Sequence, residues 1–342
     1  MATHSLAVNH CHDLLRRLAT GRPGVAEFAG VVLPALQRAV GFDGWCLGLA
    51  DPVSRLPSAA VVDNAPLGGR LPQFWRFEFA RFAGRAAGGV SPATARAAAH
   101  RDPVGARRFD ELLSPGGVGD ELRIPLIADR VYWGALGLFR SQGGRPFSET
   151  DVAVGGGLMP ALTAGARSTW VSIPPRSADG EAAEPGTLLL TAEGRVLSQT
   201  DRARQWLARL GGGHSMLPAV VAMLGTRTTT SSRTRTVDGI WLRVSGARLE
   251  PPAGQAAIVI TLQPASSAEI TPLLLRAYGL TPRQRVVSRF LLAGHSTQQI
   301  ATALRLSPHT VNDHVKAIVA KVGVHSRAEL AAVLTGQFPA SR

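Results

Sequence analysis

The stretch Leu280–Leu334, which reads LTPRQRVVSRFLLAGHSTQQIATALRLSPHTVNDHVKAIVAKVGVHSRAELAAVL, contains four short helical patterns in succession. Each pattern is preceded by a serine or threonine, whose side-chain oxygen can accept a hydrogen bond from a free N–H group of the first helical turn. These residues are Thr281, Ser296, Ser307 and Ser326. Three of the four are followed three positions later by Gln or Glu, which completes a capping box. The stretch therefore predicts a small domain of four helices.

Only Arg305, Leu306 and Ser307 separate the second pattern from the third. So short a connection between two amphipathic helices is typical of a helix-turn-helix. The apolar residues of the third pattern are spaced four, three and four positions apart, so they share one side of the helix and are expected to be buried. They are Val311, Val315, Ile318 and Val322. The opposite side carries His309, Asn312, Asp313, Lys316 and Ala320, and Thr310, His314 and Lys321 lie on one flank.

A free helix side with short polar groups and a lysine suits the major groove of DNA, where amides and ammonium groups read base edges. The residues Leu280–Leu334 resemble the LuxR-type helix-turn-helix of bacterial transcription regulators. The shared positions include the LTPR opening, Gly294, Ser296, Ile300-Ala301, Leu304, Ser307, Thr310-Val311, His314-Val315, Ile318, the run Lys321–Val324, and Arg327. The family usually has Glu where Gln284 and Gln299 stand, which keeps the capping box, and Lys where Asn312 stands, which alters the expected base preference.

The resemblance implies a role for each polar residue of the third helix. Three residues would face bases: Asn312, Asp313 and Lys316. Three would approach the DNA backbone: Thr310, His314 and Lys321. At the start of the second helix, Thr297 would meet a phosphate.

The family also implies that the protein binds double-stranded DNA as a homodimer. The last of the four helices is then the expected contact between the two copies. Its apolar side consists of Leu330, Val333 and Leu334.

Positive charge is concentrated towards the end of the sequence. The chain has 342 residues and a formal net charge of +13. From Ile270 onward nine Lys or Arg residues accompany two acids, so +7 of this charge lies in the last 73 residues. The two lysines of the chain, Lys316 and Lys321, both fall in the third helical pattern. A basic module on a nearly balanced body is typical of nucleic-acid-binding proteins.

The cysteines and the N-terminus predict a cytoplasmic protein. Cys11 and Cys46 cannot form a disulfide framework, which fits a reducing compartment. The first residues do not show the basic region and apolar core of a signal peptide. The apolar run Val152–Ala166 is too short and too rich in glycine for a membrane span. Bound to DNA, the protein would associate with the nucleoid.

The rest of the chain predicts an α+β sensor region in two parts, so that the whole is multidomain with an all-α four-helix domain at 270–342. Residues 1–170 resemble a GAF domain in their order of helix, strand hairpins and closing helix, the last starting with the capping pair Ser148 and Asp151. Residues 171–186 predict a linker. Residues 187–265 resemble a PAS domain, and the polar stretch 226–236 within them is expected to be an exposed loop or edge strand. Residues 263–267 predict a short hinge, and the sequence shows no internal repeat.

Several other groups contain residue types that occur in sites, and for each of them a structural role is the preferred interpretation. His4, His10, Cys11 and His12 are metal-ligand types without a second pair at a suitable spacing, so no metal is predicted. The aromatic group 74–82, with Trp45 and Trp133, is either an effector pocket or core. The glycine runs 155–157 and 211–213 lack the Lys-Ser/Thr of a phosphate loop. Arginines 227, 233 and 235 either contact nucleic acid or lie in a solvated loop.

The sequence as a whole predicts a DNA-binding transcription regulator, controlled by an unknown signal and containing no catalytic constellation and no cofactor. RNA polymerase and a small-molecule effector are candidate partners. One alternative is a promoter-reading subunit similar to a sigma factor, although a second helical region for binding polymerase is missing. The other is a ligand-processing enzyme with a DNA-binding tail.

Overall fold

The computed structural model describes residues 2–65, 70, 73–74, 91–95, 97, 103–172, 184–210, 220–221, 224, 228–249 and 257–335. They form two five-stranded antiparallel sheets, helices that cover them, and a C-terminal group of helices. In this part of the chain no helix is both long and apolar enough to cross a membrane. The coarse prediction of an α+β region followed by a helical domain is confirmed.

The first region consists of a sheet with helices packed against it. Its helices are α1 (Ala2–Gly21), α2 (Val25–Val40), α3 (Pro103–Arg108) and α4 (Glu149–Ser168), with a π-helical turn at Phe109–Leu113 and 3-10 turns at Ser114–Gly116 and Thr169–Val171. Its strands are β1 (Gly44–Ala50), β2 (Pro57–Asp63), β3 (Ala93–Thr94), β4 (Val118–Ala128) and β5 (Val131–Ser141). They are ordered β2-β1-β5-β4-β3.

Local sequence signals explain two junctions of this region. Ser148 and Asp151 form the predicted capping box at the start of α4. Asp129 and Arg130 both have positive φ angles, 51° and 61°, in the two-residue turn between β4 and β5. A turn of this kind matches the twist of an antiparallel hairpin.

Gly165 faces Phe28 so closely that a side chain there would collide with the ring, which lets α4 pack directly on α2.

The second region repeats the strand order of the first, although the sequence shows no repeat. Its strands are β6 (Gly186–Thr191), β7 (Val196–Gln199), β8 (Thr229–Arg235), β9 (Trp241–Leu249) and β10 (Ala257–Pro264), in the order β7-β6-β10-β9-β8. Helix α5 (Asp201–Arg209) covers it and buries Trp206 against Leu188 and Ile260. The linker predicted at 171–186 begins with the buried residue Val171 and ends on the first residue of β6. Residues 173–183 lie outside the described residues.

The expectation that arginines 233 and 235 lie in a solvated loop is wrong. Both residues belong to β8, which is an edge strand of the second sheet. An edge strand was one of the two structures expected for this stretch. The edge is not exposed, however, because it lies against the first region. The Arg233 side chain donates to the Asp51 carboxylate at 2.6 and 2.7 Å, and Asp51 is completely buried. The pairing partner is 182 residues away in sequence, so local composition gave no sign of it. Arg227 lies outside the described residues.

Five helices complete the chain. They are α6 (Ser267–Ala277), α7 (Pro282–Leu292), α8 (Thr297–Leu304), α9 (Pro308–Val322) and α10 (Arg327–Thr335). The last four are those predicted. Helix α6 corrects the predicted hinge at 263–267, because β10 continues to Pro264 and a capping box of Ser266 and Glu269 starts the new helix. The apolar residues of α6–α10 belong to the same buried cluster as those of α1, α2 and α4.

Candidate nucleic-acid interface

Hydrogen bonds at the helix starts set the frame of the C-terminal domain. Gln284 and Thr281 exchange bonds of 3.0 and 3.3 Å, and Gln299 and Ser296 exchange bonds of 2.8 and 3.3 Å. Each glutamine therefore closes its capping box, as predicted. The Ser307 hydroxyl accepts a bond of 3.0 Å from the Thr310 amide at the start of α9.

The turn between α8 and α9 depends on Arg305. This residue has φ 52° and ψ 50°, a left-handed conformation that non-glycine residues rarely adopt. It allows the Leu306 amide to reach back to the Ala301 carbonyl at 2.9 Å, which ends α8 and redirects the chain. The helix-turn-helix geometry follows from this reversal.

Helix α9 has the two-sided character that its sequence predicts. Val311, Ile318 and Val322 are buried, and Val315 is half-buried. On the other side Asn312, Asp313 and Lys316 are exposed, together with His309 and Ala320. The His309 imidazole lies 3.1 Å from the Asp313 carboxylate. The exposed side therefore offers an amide, a carboxylate and an ammonium group within about one helical turn.

A chain of hydrogen bonds connects three helices beside this surface. The Thr297 hydroxyl accepts a bond of 2.7 Å from the Arg327 guanidinium and donates one of 3.4 Å to the Asn312 amide oxygen. Arg327 was not among the predicted contact residues, although its position is part of the resemblance. Since it is exposed at the start of α10, it adds a cation next to Asn312 and Thr297.

The predicted flank residues differ in their exposure and in the hydrogen bonds that they form inside the domain. Thr310 is half-buried and its hydroxyl bonds to that of Ser307 at 2.8 Å, and His314 is also half-buried. The Lys321 ammonium donates to the Gly279 carbonyl at 3.0 Å and to the Gln284 amide oxygen at 2.9 Å. Lys321 thus holds α9 to the start of α7, so a phosphate contact by this residue would compete with bonds inside the domain.

The apolar side of α10 packs within its own chain. Leu330 and Leu334 are almost completely buried, and Val333 is half-buried. Two hydroxyls of α6, those of Thr271 and Ser267, donate to the last carbonyls of α10 at 2.8 and 2.6 Å. In this arrangement Leu330 and Leu334 are core residues and not a free surface for a second copy.

The first region also reaches α9 directly. One nitrogen of the Arg22 guanidinium donates to the carbonyls of Lys321 and Val322 at 3.1 and 2.9 Å, and the group lies over the Tyr278 ring at 5.0 Å. A cation at a helix C-terminus is favourable because the last carbonyls carry partial negative charge. Burial raises the pKa of Tyr278, while Arg22 and Arg235 oppose this effect.

Among the residues that the structure describes, the other candidate groups do not assemble into a site. Phe74 and Trp133 are buried in different apolar clusters, which confirms the core interpretation for these two, and residues 75–82 lie outside the described residues. The glycine run 155–157 lies inside α4, and 211–213 is outside the described residues. Cys11 and Cys46 are both buried, and neither takes part in a disulfide bond. Within the described ranges no three His, Cys, Asp or Glu side chains are grouped to hold a metal ion.

Comparison with known proteins identifies the C-terminal domain. Residues 279–334 match the family model described as "Bacterial regulatory proteins, luxR family". This part of the chain is therefore a LuxR-family helix-turn-helix domain, as the sequence predicted. No curated protein matches the chain.

Solved structures show weaker likeness. A phage VqmA–DPO complex is 18% identical, with 44% of this chain and 79% of that one covered at a TM-score of 0.23. A Vibrio cholerae VqmA–ligand–DNA complex is 17% identical, with 44% and 80% covered at 0.22. The sensor region of a sensor histidine kinase is 12% identical, with 65% and 84% covered at 0.19. With TM-scores this low, the function of the present chain has to be argued from its own residues.

Proposed function

We propose that the protein is a sequence-specific, DNA-binding transcription regulator that reads the major groove with α9. The observation that carries this proposal is the exposed row of Asn312, Asp313 and Lys316 on a helix whose other side is buried, within the LuxR-family domain. An α-helix fits the major groove, and these side chains differ in what they can donate or accept there. The concentration of positive charge in the same domain favours capture of a polyanion.

Each residue has a distinct proposed role. The Asn312 amide suits adenine, the Lys316 ammonium suits guanine, and the Asp313 carboxylate suits the amino group of cytosine, with about 1–3 kcal/mol of discrimination per good contact. Thr297 lies at the α8 N-terminus, where helix N–H groups favour a phosphate, and Arg327 beside it supplies charge. Thr310 and His314, on the flank of α9, are proposed to approach the DNA backbone.

We propose Lys321 as a support of the reading helix and only secondarily as a phosphate contact. Its ammonium already has two acceptors in the domain. If the ammonium left these two acceptors to bind a phosphate, it would exchange existing hydrogen bonds for new ones, so the net gain in DNA affinity would be small.

A homodimer on an inverted repeat, with half-sites about one helical turn apart, remains part of the proposal. Contact between copies through Leu330, Val333 and Leu334 would require α10 to separate from α6, because Thr271 and Ser267 now bond to its end. We also propose that the two sheet regions receive the controlling signal, that RNA polymerase is a partner at the promoter, and that the protein acts in the cytoplasm and associates with the nucleoid when bound.

Selection of bound sites from random double-stranded DNA by the full chain tests the proposal. We expect an enriched motif, symmetric if two copies bind, and binding that weakens steeply with salt. Lys316→Ala and Asn312→Ala should each weaken binding to the selected site by about 1–3 kcal/mol and have less effect on scrambled DNA. Arg204→Ala is the matched control, because it removes an exposed cation from α5.

Failure to enrich any sequence, with all variants and the control equally retained on DNA, would overturn the assignment. Loss of both selected and scrambled DNA to the same extent in Lys316→Ala would instead make Lys316 a phosphate contact. A change in the enriched base at one position with Asn312→Ala would assign that position to α9.

A further inference from the structure

Positive charge gathers around the connection between α6 and α7. The Arg285 guanidinium donates to the Leu280 carbonyl of this connection at 2.8 Å, and the Lys321 ammonium donates to the Gly279 carbonyl at 3.0 Å. The Arg167 guanidinium, at the end of α4, lies against Gly279 itself, where a Cβ would be 3.0 Å from the nearest guanidinium nitrogen. Since consecutive Cα atoms are only about 3.8 Å apart, these three cations lie close together.

Arg276, in the last turn of α6, joins this group. Burial lowers the pKa of Arg285, and the neighbouring charges of Arg276 and Arg289 lower it further. Burial also lowers the pKa of Arg167. The carboxylate of Asp129, in the turn between β4 and β5, opposes these effects for both Arg167 and Arg285. Arg167, Arg276 and Arg285 are called the junction cluster below.

The junction cluster has no counter-charge at ion-pair distance. Within the described part of the chain its three guanidinium groups form no ion pair, and Arg285 bonds to a neutral carbonyl. The three side chains are half-buried, and none of their unbonded nitrogen atoms is closed off from solvent. Like charges at such positions repel one another, because partial burial weakens the screening by water and salt. An anion placed among them would remove this repulsion.

Helix ends account for part of this charge. Helices α4, α6 and α9 all end at the junction, and each C-terminus carries about half a negative charge. Arg22 already donates to the last carbonyls of α9. The junction cluster and Lys321 then face the Asp129 carboxylate and about one negative charge from the other two helix ends. Positive charge is therefore left over for a ligand.

We propose that the junction cluster binds a small multivalent oxyanion, such as a chain of phosphate groups. Guanidinium groups can donate two parallel hydrogen bonds to phosphate oxygens, and they stay charged at neutral pH. The half-buried position suits an ion that enters between the helices better than it suits a DNA duplex. Because Arg167 belongs to the first region and Arg276 and Arg285 to the helices that follow, the anion would bridge these two parts. The proposal goes beyond DNA binding and does not depend on it.

Titration of the full chain with inorganic tripolyphosphate, without DNA, tests the proposal. Calorimetry is performed at constant ionic strength, adjusted with sodium chloride, so that general screening is matched. We expect one saturable site that binds tripolyphosphate at least about tenfold more tightly than single phosphate, because each added hydrogen bond between charged groups contributes about this factor. A nucleoside triphosphate is the second probe. Equal affinity for both probes would identify the phosphate chain as the ligand, and tighter binding of the second would identify a nucleotide.

Matched changes of charge locate the site. Arg285→Gln and Arg167→Gln should each weaken tripolyphosphate binding about tenfold, since each removes one charged donor. Asp129→Asn removes the opposing carboxylate and should tighten binding, a gain that loss of fold would not produce. Arg283→Gln is the control, because it removes a cation of the same helix α7 whose guanidinium donates to the Leu304 carbonyl at 2.9 Å.

Three outcomes of the titration would overturn the proposal. They are no saturable binding at constant ionic strength, the same loss in Arg283→Gln as in Arg285→Gln, and weaker binding in Asp129→Asn. Weaker binding of duplex DNA by Arg167→Gln and Arg285→Gln, with tripolyphosphate affinity unchanged, would make the cluster a DNA contact instead. Circular dichroism melting of each variant separates loss of the site from loss of the fold. Since the titration contains no DNA, its result and the result of the DNA selection are independent.

Discussion

The first and second sheets share one strand order but differ in what their apolar residues touch. In each region the second strand lies at one edge, next to the first, and the third lies at the other edge. The apolar residues on one face of the first sheet belong to the same buried cluster as those of helices α6–α10, and Trp241 of β9 joins this cluster. The second sheet has a separate core around Trp206, and its contact with the first region includes the ion pair of Arg233 and Asp51.

This difference indicates two kinds of attachment in one chain. A continuous apolar core couples the first region and the DNA-binding domain, because opening one exposes the surface of the other to water. The second region is held to them in part by directional polar bonds and by the stacked tryptophans Trp170 and Trp241. We therefore expect the second region to separate from the rest more easily than the first.

The largest effect is expected from Trp206→Ala. Removing this buried side chain should reduce the stability of the second region by about 3–5 kcal/mol. Urea unfolding followed by near-UV circular dichroism should then show an early transition for the second sheet and a later one for the rest. As a matched change in the shared core, Leu33→Ala should shift the later transition. One common transition in both variants would show that the two cores unfold together.

A somewhat smaller effect is expected from Asp51→Ala. The change leaves the Arg233 guanidinium buried without its counter-charge, which should reduce stability by about 3 kcal/mol. Asp51 also accepts from the Val53 amide at 2.8 Å, so Asp51→Asn separates the loss of charge from the loss of this bond. For comparison, Arg204→Ala breaks an exposed ion pair with Asp201 and should change stability by less than about 1 kcal/mol. Equal losses of stability in Asp51→Ala and Arg204→Ala would show that the buried pair stabilises the fold no more than an exposed one.

The contact of Arg22 with α9 should contribute about 1 kcal/mol, as is usual for a cation at a helix C-terminus. Arg22→Ala should lower the melting temperature of the full chain slightly and increase amide hydrogen exchange in the last turn of α9. Arg17→Ala, an exposed change on α1, is the control. No difference in exchange between the two variants would contradict a stabilising contact at this helix end.

The smallest effect concerns thiol reactivity. Burial raises the pKa of Cys11, partly offset by Arg38, so less of the reactive thiolate is present in the folded chain at a given pH. Cys11 and Cys46 both belong to the first region and are buried. Their alkylation at pH 8 should therefore be slow, become fast on global unfolding, and stay slow in Trp206→Ala. Fast labelling in that variant would mean that the first region opens with the second.

The sequence predicts best where the relevant interactions are local. The capping residues Thr281, Ser296 and Ser307 act within three positions, so the C-terminal helices and the exposed side of α9 could be read directly from the sequence. The same holds for the capping box at α4. Local pattern was also enough to identify α10 as amphipathic, but not to show that α6 covers its apolar side.

Interactions between distant segments could not be predicted in this way. The polar composition around β8 indicated solvent, whereas Arg233 finds its carboxylate in the loop before β2. The stacked tryptophans come from different regions, and their proximity depends on how the sheets meet. The strand order that the two sheets share likewise depends on which strands pair, and no residue type in the sequence signals it. Lys321 shows the same limit, since its acceptors lie 37 and 42 residues away.

The bond from Arg22 to the end of α9 spans 299 and 300 residues of sequence. It makes the orientation of the reading helix sensitive to the spacing between α1 and α2, far from any residue that would meet a base. One residue inserted beside Arg22 would displace this anchor while leaving both helices and the side chains proposed to contact DNA intact. If α9 reads DNA as proposed, its preferred site would then change through differences in length near the beginning of the chain, with the proposed contact surface unchanged.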